Sequence, residues 1–305
     1  MSKLQVVKEI HKPARKNYRH RKTIIKGLHD LWQLDLAEFQ NHAKENNNFK
    51  YLMVVINCFS KFVWAIPIKN KTAEEVTNAM NKILSSTHAP KNIQTDQGKE
   101  FFNSKFAALM KKYGINHYCT YGTKKAAIVE RVIRTIKTNL YRQMSFIGSY
   151  KWSSLLDEII SEYNNTKHRT TRMKPIDINE KNEAPILKSV YSNIKMYTEG
   201  KYKVGQWVRI SKMKHIFAKG YTPNWTTELF KIVRIKHSTP VMYYIEDLGG
   251  QPIEGGFYEE EIQPTKQPDV YLIEKVVRKK GNKLFVKWLG FDNSKNSWIK
   301  KSDIV

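Results

Sequence analysis

The chain has 305 residues, enough for two or three domains, and carries 53 Lys and Arg against 28 Asp and Glu, a formal net charge of +25. An excess of this size predicts a polyanionic partner, and several separated basic runs favour nucleic acid over a membrane surface. With only two cysteines, Cys58 and Cys119, and no long apolar segment, neither a disulfide framework nor a membrane span is expected, and the setting is predicted to be intracellular.

The first 185 residues read as a basic arm followed by an α/β domain. Residues 1–29 hold nine Lys or Arg and lack strong periodicity, which predicts an N-terminal arm. Residues 30–185 begin with three β-prone runs, "LWQLDLAEF", "YLMVVINCFS" and "KFVWAIPI". A helix follows, opened by a capping box of Thr72 and Glu75, and then a short strand that ends near Asp96.

Four further elements complete this domain. Asn103 is placed to cap the next helix, "INHYC" is typical of a fifth strand, and a long helix is predicted from about 126 to 143. A second helix is expected from 152 to about 163. Three strands, then alternating helix and strand, then helices, is the order of a ribonuclease-H-like α/β fold.

The remainder of the chain is predicted to be a linker and two small β-barrel modules. Residues 186–200 read as the linker, with a little helix from 176 onward. Residues 201–265 contain short strands separated by Gly, Pro and Asn, a spacing that suits an SH3-like barrel. Residues 268–305 hold two strand runs joined by "KKGNK" and then an aromatic turn.

Three acids stand out as candidate metal ligands. Asp35 lies inside an apolar strand, Asp96 ends a strand, and Glu130 starts the long helix, beside the edge that carries Arg134 and Lys137. Taken singly, Asp96 reads as a turn residue and Glu130 as an acid favoured by the helix dipole. Taken together, they supply the hard oxygen ligands that two-metal phosphoryl transfer requires.

These residues match a known family. The segments "LWQLDL", "TDQGKEF" and "VERVIRTIK" resemble the catalytic core of DDE integrases, with particular similarity to those of Maverick/Polinton DNA transposons, which are related to retroviral and long-terminal-repeat retrotransposon integrases. The resemblance implies that Asp35, Asp96 and Glu130 are catalytic residues binding two Mg²⁺ or Mn²⁺ ions. It also implies DNA 3′-end processing, strand transfer into target DNA, and a homo-oligomer assembled on DNA in the nucleus. No zinc site is expected, because His11, His20 and His29 have no cysteine pair near them.

DNA contacts are predicted on the core and on the following barrel, which resembles the SH3-like module of integrases. The basic residues chosen as contacts to double-stranded DNA, both element ends and target, are Lys124, Lys125, Arg131, Arg134, Lys137, Lys212, Lys214 and Lys219. Those of the barrel read equally as a solvated hairpin.

The last segment resembles a chromodomain. Tyr271, Trp288 and Phe291 lie where chromodomains form an aromatic cage for methylated lysine, which implies a methylated histone tail as partner. The alternative is that these aromatic side chains are simply the core of a small barrel, an interpretation we adopt for Trp298.

Two other functions fit parts of the pattern. A catalytically decayed or host-resident copy would bind DNA and chromatin without joining DNA, and Ile133, where many relatives have asparagine, favours it. A structure-specific nuclease would share the fold, but the two C-terminal modules argue against it.

Overall fold

The chain folds as two units, one of which is assembled from both ends of the sequence. In a computed structural model, residues 2–15, 17–20, 23–119, 126–191, 198–212 and 219–303 are described. Residues 23–194 form the first unit, and residues 1–22 together with 195–305 form the second. Within the described ranges, every helix is too short or too polar to cross a membrane.

Among the described residues, five α-helices lie in the first unit, after its third strand, and one lies in the second. Their bounds are α1 Ser2–His11, α2 Ala73–Ser86, α3 Ser104–Lys112, α4 Ala127–Ile147, α5 Leu156–Asn165 and α6 Glu180–Val190. The strands of the first unit are β1 Leu31–Glu38, β2 Tyr51–Asn57, β3 Val63–Ile68, β4 Asn92–Thr95 and β5 Asn116–Cys119.

The first unit is built on one mixed sheet in the order β3-β2-β1-β4-β5. The first three strands are antiparallel neighbours, whereas β4 is parallel to β1 and β5 is parallel to β4. With helices on both faces, this arrangement is the ribonuclease-H-like α/β fold that the order of elements predicts.

Alternation along β1 separates the two faces of the sheet. Trp32 and Leu34 are buried with α2 and α3 on one side. Ala37 is buried with α4 and α5 on the other side, where Val129 and Leu140 of α4 contribute. Helix α4 therefore packs, from its first turn onward, against the face of β1 that carries the odd-numbered residues.

Local signals fix the ends of several helices. Thr72 accepts a hydrogen bond from the Glu75 backbone N–H at 3.3 Å, as predicted, but the Glu75 carboxylate turns outward and accepts from the backbone N–H of Asn70 at 2.8 Å. The predicted capping box is therefore only half formed. Asn103 caps α3 as predicted, accepting from the Phe106 N–H at 2.9 Å.

Helix α6 crosses the predicted boundary between core and linker at residue 185. Ile186 of α6 is buried with Leu31 and Phe59 of the first unit, and Pro185 lies inside the helix. The helix therefore packs as part of the first unit, and the expectation of a linker from 186 onward does not hold for residues 186–190.

The second unit contains two antiparallel sheets and helix α1. Its strands are β6 Trp207–Ile210, β7 Phe230–Lys236, β8 Met242–Glu246, β9 Phe257–Tyr258, β10 Ile262–Pro264, β11 Ile273–Lys280, β12 Lys283–Trp288 and β13 Ser297–Lys300. The sheet orders are β10-β6-β7-β8-β9 and β11-β12-β13. Val208, Ile232 and Tyr243 form the centre of the five-stranded sheet's core.

Helix α1 belongs to this second unit rather than to an unstructured arm. Its Val6 and Ile10 are buried, and the Ile10 carbonyl accepts hydrogen bonds from the backbone N–H groups of Asn224 and Trp225 at 2.8 and 3.1 Å. Within the predicted N-terminal arm of residues 1–29, Ser2–His11 is therefore an α-helix that packs on the second unit.

Candidate active site

Asp35 and Asp96 lie at equivalent points on two adjacent parallel strands. The register pairs Gln33 of β1 with Gln94 of β4, and each acid comes two residues later in its strand direction. Since parallel strands carry such positions to the same end of the sheet, the two carboxylates share one end of β1 and β4. Asp35 lies within β1, and Asp96 directly follows Thr95, the last residue of β4.

The turn after β4 explains why a glycine follows Asp96 at a distance of two residues. The Gly98 backbone N–H donates to Asp96 Oδ1 at 3.0 Å, which fixes one oxygen of the carboxylate. A Cβ at Gly98 would lie 2.6 Å from the Glu100 carboxyl group. The glycine thus gives room for a fourth acid, Glu100, beside this end of the sheet.

Glu130 is held near β1 by a side chain that acts as a helix cap. Ala126, at the N-cap of α4, offers no side-chain hydrogen bond. Instead Gln33 Oε1 accepts from the backbone N–H groups of Ile128 and Val129, both at 3.0 Å. One amide oxygen therefore satisfies two of the unpaired donors in the first turn of the helix that carries Glu130.

A second amide extends this contact to β4. Gln33 Nε2 donates to Gln94 Oε1 at 3.0 Å, and both side chains are buried. The Gln33–Gln94 bridge therefore connects the three elements that carry the acids: β1 with Asp35, β4 with Asp96, and α4 with Glu130. Because buried amides need such partners, the bridge also restricts how these elements move against each other.

The raised pKa of Asp35 reflects its burial and the charges of the three other acids. Burial raises the pKa of Asp35 to about 6, the Leu36 N–H works against this rise, and the charges of Asp96, Glu130 and Glu100 increase it further. The hydrogen bond from Leu36 to Asp35 Oδ1 is 2.8 Å long. A half-buried carboxylate among three others favours a bound cation or a proton.

The four carboxylates are neighbours but do not converge on a single metal position. Among the described residues, no three acidic, histidine or cysteine side chains converge closely enough to hold a metal ion as they stand. The donor set nevertheless suits a hard divalent cation, because it consists of carboxylate oxygens whose mutual repulsion such an ion would relieve.

The predicted DNA contacts of α4 fall on two surfaces. Arg134 and Lys137 line the same surface hollow as Glu130, and Lys137 Nζ lies 5.2 Å from the centre of the Phe39 ring. Arg131 lies in a different groove, together with Lys61 and Arg169. Arg134 and Lys137 therefore accompany the acid, whereas Arg131 does not.

The other predicted DNA contacts are only partly described. Lys124, Lys125 and Lys214 lie outside the described residues. Lys212 and Lys219 are exposed on the second unit, and Lys219 Nζ lies 5.7 Å from the centre of the Tyr221 ring. Their role in binding DNA stays a prediction.

The three aromatic residues predicted to form a cage are grouped. The Tyr271 ring centroid lies 5.9 Å from that of Trp288 and 5.7 Å from that of Phe291, both in edge-to-face arrangements. All three rings are half-buried and line one cavity. Trp298, predicted to be core, is instead 46% exposed and packs on one side against Phe285.

Comparison with known proteins assigns the part of the chain that holds this site. Residues 27–122 match the family model described as the integrase core domain. The chain therefore contains an integrase core domain. It is related to the integrase regions of retroviral and transposon-derived proteins, in agreement with the motifs around Asp35 and Asp96.

Two curated relatives extend the match beyond the integrase core. A transposon-derived protein of Caenorhabditis elegans is 32% identical over 190 residues, which is 62% of this chain and 64% of that protein. The Pol polyprotein of feline endogenous virus ECE1 is 31% identical over 141 residues, 45% of this chain and 13% of the polyprotein. The chain thus spans less than two thirds of the length of either relative.

A solved structure is similar in fold over most of the chain. A chain of the simian T-cell lymphotropic virus intasome in complex with PP2A regulatory subunit B56 gamma has a TM-score of 0.56 and 18% sequence identity. The similarity covers 82% of this chain and 84% of that one.

Sequence reasoning missed the residues that organise the integrase core site. Gln33 and Gln94 read as ordinary polar strand positions, and Glu100 reads as part of a turn. A signal was present, however: the spacing Gln-x-Asp is shared by the two strand segments "WQLDL" and "IQTDQ". On each of the two paired strands a buried glutamine lies two residues before the acid, and these two glutamines form the bridge.

Proposed function

We propose that the protein is a transposon integrase of the Maverick/Polinton type, which trims DNA 3′ ends and transfers them into target DNA. The observation that carries this proposal is the gathering of Asp35, Asp96 and Glu130 around one end of the core sheet, joined through the Gln33–Gln94 bridge. Asp35 and Asp96 lie within the residues that match the integrase core domain, and Glu130 lies eight residues beyond them, so the match supports their assignment as the DDE acids.

Asp35, Asp96 and Glu130 are the residues that would hold Mg²⁺ or Mn²⁺, with two ions expected. The pKa of Asp35 is raised by burial first and by the neighbouring carboxylates second, and this unfavourable ionisation supports the assignment. When bound, such ions lower the pKa of an attacking water or 3′ hydroxyl and stabilise the leaving oxygen. The side chains contribute by fixed placement: Gly98 orients Asp96, and Gln33 holds the turn that presents Glu130.

Binding of the DNA end is assigned to the α4 edge. Arg134 and Lys137 share a hollow with Glu130 and carry charges of the sign that phosphates require. Lys212 and Lys219 of the second unit add exposed positive charge for an SH3-like DNA-binding module. In this proposal the working form is a homo-oligomer on DNA, in the nucleus.

The three-stranded terminal sheet is proposed to act as a chromodomain that directs insertion to marked chromatin. The grouped rings of Tyr271, Trp288 and Phe291 support a methylated histone tail as its partner. Aromatic faces attract a methylated ammonium, which is bulky and weakly hydrated, by cation–π interaction.

The test is a strand-transfer assay with an element-end duplex, a target plasmid and Mg²⁺. We expect joined products from the wild type and none from Asp96→Asn, because the substitution removes one of the carboxylate charges that would hold the metal. The control is Glu45→Gln, which removes an equal charge at an exposed turn position of the same unit. Undiminished joining by Asp96→Asn would refute the assignment of the acids.

A second candidate function is DNA and chromatin binding without catalysis. It is favoured by Ile133, which stands where many relatives have asparagine. The same assay separates the two: a binding protein would shift the element-end duplex in a gel at low salt while yielding no joined product with either Mg²⁺ or Mn²⁺.

A further inference from the structure

A cavity in the second unit is lined by both of its sheets. Its volume is about 650 Å³, and the terminal module supplies the rings of Tyr271, Trp288 and Phe291. The opposite wall comes from the five-stranded module, through residues 228–230, 247–249 and 253. The aromatic group therefore does not face open solvent on all sides but is completed by the preceding module.

The charge of this cavity is opposite to that of the chain. Three carboxylates, those of Glu228, Asp247 and Asp292, line it with one cation, Lys295, in a protein whose formal net charge is +25. Such a wall disfavours DNA phosphate and attracts a cation. The negative charge of this cavity therefore distinguishes it from the basic surfaces assigned to DNA.

Two of the three carboxylates accept hydrogen bonds from backbone N–H groups. Asp247 Oδ1 accepts from the N–H groups of Gly249 and Gln251 at 2.7 and 2.9 Å. Asp292 Oδ1 accepts from the Ser294 N–H at 2.7 Å. The Glu228 side chain is exposed and forms no ion pair within the described part of the chain. Both of its oxygens can therefore accept from a ligand, whereas Asp247 and Asp292 each have one oxygen engaged.

A tight approach fixes the distance between the two walls. Gly290, in the turn after β12, has φ +87°, and a Cβ there would overlap Thr227 Oγ1. Thr227 directly precedes Glu228. Only a residue without a side chain permits this approach in this backbone conformation, so Gly290 holds the terminal module against the segment that carries Glu228.

We propose that the two modules form one composite site for a methylated lysine that keeps at least one N–H, that is, a mono- or dimethyl form, with Glu228 as acceptor. This rests on the proposed chromatin-reading function. The rings surround the methyl groups by cation–π attraction, and the carboxylate takes the remaining N–H in a charge-assisted hydrogen bond. A trimethyl form has no N–H to donate, and an unmodified lysine is too strongly hydrated to gain much from the rings.

The experiment is a fluorescence-anisotropy titration of the full-length protein. The probe is a labelled ten-residue basic peptide with one central lysine, prepared unmodified and with one, two or three methyl groups. For the wild type we expect the dimethyl peptide to bind at least about threefold more tightly than the trimethyl peptide. Glu228→Gln should abolish this preference and leave trimethyl binding nearly unchanged. Glu199→Gln, which neutralises an exposed acid of the same unit away from the cavity, should keep the preference.

A second variant tests the composite character of the site. Gly290→Ala should separate the walls and remove the dimethyl preference without touching an aromatic residue or an acid. Equal binding of di- and trimethyl peptides by the wild type, with loss of both in Trp288→Ala, would overturn the inference while leaving a methyl-lysine reader. If no methylated peptide binds better than the unmodified one and Trp288→Ala changes nothing, the reader function itself fails.

Discussion

Four carboxylates share one end of the integrase core sheet, and burial acts most strongly on Asp35. Its neighbours Asp96, Glu130 and Glu100 all oppose its ionisation, and its hydrogen bond from the Leu36 N–H offsets this only in part. The metal-free protein therefore keeps an arrangement that costs folding free energy. Such a cost is common where charges are grouped for a ligand rather than for stability.

We predict that Asp35→Asn raises the free energy of unfolding of the metal-free protein at neutral pH. The amide keeps the size of the side chain and removes a poorly solvated charge, so a gain on the order of 1 kcal/mol is expected. Thermal unfolding in EDTA measures it, with Glu45→Gln as the control because that acid is exposed.

We further predict that Mg²⁺ raises the Tm of the wild type and not that of Asp35→Asn. A ligand stabilises the state that binds it, and the variant lacks one of the charges that attract the ion. This measurement needs no DNA and no turnover. An equal Mg²⁺ effect on both proteins would mean that the ion binds elsewhere.

At the scale of secondary-structure elements, the Gln33–Gln94 bridge sets where α4 begins relative to the sheet. We predict that Gln33→Met lowers both stability and strand transfer, because it leaves the N–H groups of Ile128 and Val129 without an acceptor. A buried group without its partner costs about 1–3 kcal/mol. Gln143→Met, at an exposed position of α4, is the matched control.

The variant Gln33→Glu tests separately whether the link from Gln33 to Gln94 is needed for activity. Gln33→Glu still offers an acceptor to the two N–H groups but cannot donate to Gln94. Because it also adds a buried charge two residues from Asp35, we expect it to recover only part of the stability lost in Gln33→Met and only part of the activity at saturating DNA. Full recovery would mean that the link to β4 is not required.

The basic edge of α4 gives a second prediction at this scale. Arg134→Ala with Lys137→Ala should weaken binding to element-end DNA and reduce the slope of log affinity against log salt by about one for each phosphate that is no longer neutralised. Lys82→Ala with Lys111→Ala removes the same charge from α2 and α3, which pack in the other core cluster. An equal reduction in both double variants would indicate a general effect of charge.

Elements with a strong local pattern were predictable, and those stabilised from a distance were not. The alternation in β1 and the caps Thr72 and Asn103 identify their elements because the deciding contacts lie within a few residues. Helix α6 contains Pro185, which disfavours helix locally, and is stabilised by burial of Ile186 against residues far along the chain. The positions of the three acids followed from motifs, whereas the amides that hold them depend on strand register, which no local pattern specifies.

At the scale of the whole molecule, α1 is attached to the second unit by a buried ion pair. Glu9 Oε2 lies 3.6 Å from Arg209 Nε, and the Arg209 side chain is only 1% exposed. Glu9 also accepts from Thr265 Oγ1 at 2.7 Å, and Arg209 donates to the Thr227 carbonyl at 2.7 Å. An N-terminal side chain thus neutralises a cation buried in β6.

We predict that Glu9→Gln destabilises the second unit by roughly 2–4 kcal/mol, because it leaves Arg209 buried without a counter-charge. Hydrogen exchange of peptides covering Trp207–Ile210 should accelerate, while that of the first unit should not. Lys8→Gln, at an exposed neighbouring position, is the control. The double variant Glu9→Leu with Arg209→Met is expected to be less destabilised than Glu9→Gln, and a greater destabilisation would contradict the buried-charge explanation.

The discontinuity of the second unit has a consequence for synthesis on the ribosome. Glu9 and its partner Gln263 are 254 residues apart, so α1 is made well before the strands against which it docks. At about 5–20 residues per second, this leaves an interval of roughly 10–50 s. During that time Val6 and Ile10 lack the strands that cover them in the folded unit, whereas residues 23–194 can already fold. Helix α1 therefore reaches its place only after the first unit, which is made later, has had time to fold.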